Sequence, residues 1–427
     1  MSQVLLQADR RAPADFSRFQ RTSLIIGIVC LMACVVGAFT SPGSGEFFKS
    51  YLAALLFWTS LTLGSLALLM IQYLTGGAWG LVIRRSLESA TRMLPLSIIL
   101  FVPILLGLPK LYSWAIEANV NADPLLQHKA PYLNAPFFLA RTGAYFLLWG
   151  ITIYFLNRWS KNLDESGDQR FTLRLQRISG PGIVMLSLTL TFASVDWLMS
   201  LDPHWYSTMY GVTFMVNTLL SAMSFMIVIT VFLSKHPPLR EVIRPKDLHD
   251  LGKLMLAFTM LWAYCTFSQY LLIWSANLSE ETPYYLRRMQ GGWGYVGFGL
   301  LIFNFVLPFV LMLSSDLKRN ARTVWVLALY VFAVRFLDLF WLVAPEPASG
   351  ALNNYAEGGQ GGQGGHLANA SQHAIFHFDW FNVWIYIAAL VGIGGIWVWA
   401  YLWQLKSRPL LPLHDPYMKE TFSSHGH

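Results

Sequence analysis

Charge is scarce in this chain. Only 12% of its 427 residues are Asp, Glu, Lys or Arg, against about 25% in a typical soluble domain. That leaves no room for a large soluble domain. Cysteine is scarcer still, with three in all. Cys30, Cys34 and Cys265 cannot build a disulfide framework, and the sequence has no CxxCH or paired CxxC for haem, zinc or iron–sulfur ligation. It also lacks a P-loop, a GxGxxG after a strand and a nucleophile elbow. A soluble-style enzyme site is therefore excluded within this chain alone.

What fills the chain is apolar, at 55% of residues. Ten long apolar segments stand out, at about 22–39, 47–73, 93–115, 134–157, 178–201, 208–234, 248–277, 291–314, 321–343 and 379–404. Most are long enough to cross roughly 30 Å of hydrocarbon as a helix. Many are apolar on all sides, where a soluble helix would show a polar face. The fold class is thus all-α integral membrane, with ten transmembrane helices. Cys30 and Cys34 share a face of the first, which reads as a retained helix rather than a cleaved signal peptide.

The net charge of +7 is unevenly placed. Alternate connections hold 23 of the 30 Lys and Arg, among them Arg84, Arg85 and Arg92, while the opposite set holds four: Lys49, Lys129, Arg287 and Arg288. Basic loops stay in the cytoplasm, so both termini are expected there, as an even number of spans also requires. The basic excess serves topology and lipid contact, not nucleic acid. The expected organisation is a polar arm at 1–21, a membrane domain at 22–404 and a cytoplasmic tail at 405–427. An outer connection at about 344–378 is Gly-rich, and its His366, His373 and His377 have irregular spacing, as do His414, His425 and His427 in the tail. No metal site is expected from either group.

Charges at membrane depth are costly, about 2.5–3.5 kcal/mol each on an insertion scale. Lys110, Glu117, Arg141, Asp196, Asp202 and His204 are expected to gather at the outer mouth of spans 3 to 5. Arg141 is too deep to reach water easily and needs an acid partner, either Asp196 or Glu117. Arg335 and Asp338 are three apart in span 9 and share a helix face. His249 and Asp250 mark the basic-side entry of span 7. A buried acid beside a base, open to water on one side, suits a proton relay, a quinone head-group site or a transporter's substrate site. Structural ion pairing and snorkelling are the plainer readings.

Three stretches carry a resemblance. They are YLTGGAWGLVIRRSLESA at Tyr73 to Ala90, SVDWLMSLDPHWYSTMYG at Ser194 to Gly211, and HDLGKLMLAF at His249 to Phe258, which continues through FSQYLLIWSANLSEETPYY to Trp293. Together they resemble the membrane subunits of bacterial alternative complex III, and length favours the shorter, ActF-like kind. These subunits are similar to the NrfD and polysulfide-reductase membrane family. The resemblance implies two four-helix bundles, spans 2–5 and 6–9, with the first and last helices peripheral. It implies a quinol-oxidising complex of the bacterial inner membrane, with haems and iron–sulfur clusters held by partner subunits. Those partners would be an ActC-like membrane subunit, single-span membrane subunits, an iron–sulfur or molybdopterin-like peripheral subunit and multihaem cytochrome c subunits. Quinol or menaquinol oxidation falls more naturally to the ActC-like subunit, and proton conduction to the ActF-like one. The outer cluster lies where related subunits place a quinone pocket. His249, Asp250, Arg335 and Asp338 are the matching candidates for a proton path in the second bundle. A stand-alone carrier and a structural scaffold remain alternatives.

Overall fold

An apolar solvent offers the backbone no hydrogen bonds, so a crossing segment must satisfy its own as a helix. The computed structural model follows that rule and describes residues 16–40, 45–237, 239–346 and 382–412. Ten helical spans of 21 to 32 residues are long and apolar enough to cross a membrane. They are Phe16–Gly37, Glu46–Thr75, Arg84–Leu106, Ala135–Ser166, Arg170–Leu201, Met209–Leu233, Pro245–Ala276, Trp293–Leu313, Ala321–Val343 and Val383–Leu405, numbered here as spans 1 to 10. Among the described residues there is no strand. The chain is an all-α, multi-pass integral membrane protein.

Several boundaries differ from the sequence reading: span 4 runs on to Ser166 and span 5 begins at Arg170, and spans 1 and 3 change as well. Span 1 begins at Phe16, inside the expected polar arm, because the Phe16 ring packs on Phe232 and His236 at 5.3 and 5.6 Å. Span 3 begins nine residues earlier than expected and ends at Leu106 rather than 115. Pro103, Gly107 and Pro109 weaken the helix there, and short turns at Leu108–Leu111 and Ser113–Ala115 replace its outer end. The first of its two helical segments, Arg84–Thr91, is wholly buried. The sequence reading placed those residues in an open, basic loop.

Two four-helix bundles lie side by side. Span 2 packs on spans 3 and 5, with span 4 against span 5; span 6 packs on spans 7 and 9, and span 8 completes its bundle. The bundles meet where span 2 crosses span 6 at Gly64. A Cβ added there would lie 2.3 Å from the Thr218 carbonyl oxygen and 2.7 Å from the Ala222 Cβ, so only glycine permits the approach. Spans 1 and 10 pair on the periphery through small residues, a device that lets helices close in without a hydrophobic driving force. A Cβ at Gly395 would sit 2.4 Å from the Ser23 carbonyl oxygen. Trp58 Nε1 donates to the Leu390 carbonyl at 2.9 Å and ties this pair to span 2. Span 1 exposes Ile25, Ile28, Val29 and Met32, a surface suited to lipid.

Span 8 is irregular. Leu300–Val306 forms a π-helix between two α-helical turns. Pro308 follows and withholds one backbone N–H. Such insertions are rare and concentrate at functional sites.

Candidate functional site

The buried acid of the first bundle is Asp196, near the C-terminal end of span 5. Asn134 caps span 4 by accepting from the Phe137 amide at 2.9 Å, which sets the start of the helix that carries Arg141. Two turns in, Arg141 forks onto Asp196, Nε to Oδ2 at 2.8 Å and Nη2 to Oδ1 at 2.9 Å. One turn further, the Tyr145 hydroxyl donates to Oδ2 at 2.8 Å. The guanidinium also donates to the Tyr132 carbonyl at 2.9 Å and lies against the Tyr132 and Phe137 rings. Asp196 is fully buried. Of the two acids expected as partners for Arg141, Asp196 is the one that meets it.

The other four residues expected at this mouth do not join it. Lys110 and Glu117 lie in the turns beyond span 3, and both are exposed. The early end of span 3 is the cause, and among the described residues Asp196 is the one acid paired with Arg141. Lys110 instead rests over the Phe48 ring at 5.7 Å. His204 Nε2 pairs with Asp123 Oδ2 at 2.7 Å, so its imidazole is held by an acid other than Asp202. Asp202 only accepts from the His204 backbone amide, at 3.3 Å.

Asp202 belongs to a third group, between the bundles. Its carboxylate pairs with Arg287. Arg287 and Arg288 both reach Glu346, at 3.5 and 2.5 Å. The Arg288 guanidinium stacks 3.5 Å above the Tyr284 ring, which stacks in turn on Trp205 at 3.8 Å. Burial disfavours the Arg287 charge, but Glu346 and Asp202 outweigh it and hold its pKa above the ordinary arginine value. Burial pushes the Tyr284 phenol well up and depresses nearby Lys129, whose Nζ donates to the Pro203 carbonyl. These residues clamp the turn after span 5 to the connection before span 8.

In the second bundle Arg335 and Asp338 do share a face, at 3.0 Å. Asp338 Oδ2 also accepts from Asn217 on span 6 at 2.8 Å and from Trp262 on span 7 at 3.3 Å. Arg335 is less well served. It lies 4.7 Å from the Trp262 ring centre, and although Nη2 is close to Asp338, its alignment is too poor for a hydrogen bond; Nε and Nη1 have no protein partner. Asn304, inside the π-helix and 1% exposed, likewise leaves both amide atoms unpartnered. His249 and Asp250 lie apart, 3.8 Å from each other. Asp250 pairs with Lys253 at 3.3 Å. Trp262 is 13 residues along the same helix, about 20 Å at 1.5 Å per residue, so these two do not touch the Arg335 site.

The sequence reading missed a fourth group, at the basic end of span 3. Glu88 is fully buried among Arg84 at 3.2 Å, Arg85 at 2.6 Å and Arg408 at 3.6 Å. Ser160 donates to it at 2.5 Å and Tyr73 at 3.3 Å. Arg85 also pairs with Asp164 on span 4. Glu88 was the available signal: an acid three and four residues after two arginines, within reach of both on one helix face.

A groove of about 740 Å³ runs between spans 3 and 4. Ile98, Phe101, Leu105, Leu139 and Phe146 line it, together with Thr142, which accepts from Trp197 Nε1 at 3.2 Å. His366, His373, His377, His414, His425 and His427 lie outside the described residues. Among the described residues no cluster of three or more His, Cys, Asp or Glu could hold a metal ion. Set against models of known protein families and against curated protein sequences, the chain matches none.

Proposed function

We propose that this multi-pass protein is an ActF-like subunit of a quinol-oxidising complex in a bacterial inner membrane, with both termini cytoplasmic, and that it conducts protons. One observation carries the reading: each four-helix bundle buries an acid–base pair inside a membrane span, Arg141–Asp196 in the first and Arg335–Asp338 in the second. Ionisable groups at such depth are costly, and they mark ion and proton pathways. The unpartnered atoms of Arg335 and Asn304 strengthen the reading, because buried polar groups of this kind are met by ordered water, which a proton route needs. The sequence resemblance supplies the complex and its redox partners.

A quinone fits the first bundle only in part. The groove between spans 3 and 4 suits an apolar tail, and its lining includes Leu139 and Thr142, which flank Arg141 in sequence. The head-group end offers no free carboxylate, since both Asp196 oxygens are engaged within the protein. Quinol oxidation is therefore assigned to the ActC-like partner. Full engagement of Asp196 also favours a second reading, a scaffold in which the pair only clamps spans 4 and 5.

Asp196→Asn and Asp338→Asn keep size and hydrogen bonding but cannot titrate. In the assembled complex, proton conduction predicts slower quinol turnover or fewer protons released per electron for at least one of them. Normal turnover with normal proton release in both would leave the scaffold reading standing.

A further inference from the structure

The arginine-rich group at the basic end of span 3 is unbalanced. Among the described residues four guanidinium groups, Arg84, Arg85, Arg92 and Arg408, face two carboxylates, Glu88 and Asp164. Arg84 and Arg85 take up most of that negative charge. Arg92 has hydrogen bonds only to neutral groups: Nε to the Asn157 amide oxygen at 2.9 Å, and Nη1 to Gln404 at 3.2 Å and Ser407 at 3.1 Å. Its Nη2 is enclosed and has no partner. Arg408 shares Asn157 with it, donating to the backbone carbonyl at 3.3 Å, and is 20% exposed. The two guanidinium groups therefore sit side by side with donors to spare and an open edge. Neutral acceptors satisfy hydrogen bonds but leave the charge uncancelled.

The position is also informative. Residues 93 to 109 carry no charge, so Arg92 is the last charge before the apolar part of span 3. Ser407 and Arg408 lie two and three residues past span 10, which ends at Leu405, after Lys406, whose Nζ donates to Gln20 Oε1 at 2.8 Å. The pair thus lies at the edge of the hydrocarbon, the level of phospholipid phosphates. Planar guanidinium forks suit phosphate oxygens.

We propose that Arg92 and Arg408 form a binding site for a phosphate-bearing anion, either the head group of an anionic phospholipid or free phosphate. This site is independent of the proton-conducting reading.

The test uses the full-length protein in nanodiscs of phosphatidylcholine, with or without phosphatidylglycerol, and a third sample in phosphatidylcholine with inorganic phosphate. Thermal stability and the lipids retained in native mass spectrometry are compared for the wild type, Arg92→Gln, Arg408→Gln and Arg158→Gln. Arg158 is the control, an exposed arginine whose Nη1 donates to the Tyr154 hydroxyl at 2.7 Å. A lipid site predicts one tightly retained phosphatidylglycerol, weakened about fivefold by either Arg92→Gln or Arg408→Gln, the scale of one basic side chain's attraction to an anionic leaflet, and unchanged by Arg158→Gln. Stabilisation by inorganic phosphate without phosphatidylglycerol, lost in the same two variants, would identify the soluble anion as the ligand. If the variants do not fold, a photoactivatable phosphatidylglycerol on the wild type gives the answer, with adducts expected at residues 92–94, 157–158 or 404–408. Equal stability in all three samples, or adducts scattered over the lipid-facing surface, would overturn the proposal.

Discussion

Replacing Arg141 with Leu strips Asp196 of its only cation. The carboxylate is fully buried and its partner only 11% exposed, so water cannot take the arginine's place. Removing one member of a buried pair costs about 3–5 kcal/mol. The lower end applies in a bilayer, where an unfolded chain finds other polar partners. Tyr145→Phe removes one donor to the same charged oxygen and should cost about 1.5–3 kcal/mol. The double variant Arg141→Leu/Asp196→Leu removes both charges, and exchanging a buried pair for apolar residues is often close to neutral. Arg141→Leu and Asp196→Leu should each cost about 3 kcal/mol, so the two single losses together should exceed the double loss by at least about 3 kcal/mol, the upper end of measured couplings between contacting residues. Reversible unfolding of the purified protein in mixed micelles, read by tryptophan fluorescence, measures all four states. Trp197 adjoins Asp196 in sequence and contacts Phe101, Tyr145, Phe146 and Trp149. Losses that add to within about 0.5 kcal/mol would refute the claim that these residues act as a pair.

Three further outcomes follow from the geometry. Glu88→Gln leaves Arg84 and Arg85 without their shared acid and should destabilise the protein by about 3–5 kcal/mol, measured by the same unfolding assay; a loss under about 1 kcal/mol would mean that Asp164 and water suffice. Gly64→Leu drives a side chain into Thr218 and Ala222, an overpacking cost of about 1–3 kcal/mol or more, and should separate the two bundles, read as faster proteolysis between spans 5 and 6; a wild-type digestion pattern would contradict the close crossing. A cysteine at Gln127 should react with an impermeant thiol reagent added to whole cells, whereas one at Asp168 should react only after the membrane is opened; the reverse pattern would invert the topology.

The spans were legible because hydrocarbon imposes one solution on a backbone, and apolar length alone reports it. Span 3 was misread where local chemistry competes with hydropathy. Residues 107–115 are apolar enough to continue, yet Gly107 and Pro109 end the helix. The Arg141–Asp196 pair was legible because both residues fall at comparable depth in adjacent antiparallel spans. His204 was expected in the cluster around Arg141 and Asp196, and the fold gives it Asp123 instead, which arrives from the connection between spans 3 and 4. Glu346, Arg287 and Arg288 come from connections that no periodicity relates. Asn304 carries no sequence signal beyond a lone amide in an apolar run, and only the π-helix and its unpartnered atoms make it notable.

Purification in a mild detergent from native membranes, with every co-purifying subunit and chromophore identified, tests the central claim most directly. The account predicts a complex in which this chain travels with a second multi-pass subunit, an iron–sulfur subunit and c-type haem absorbance that quinol reduces. A chain that purifies alone, with no haem and no quinol-reducible chromophore, while the same membranes oxidise quinol normally without it, would contradict the account.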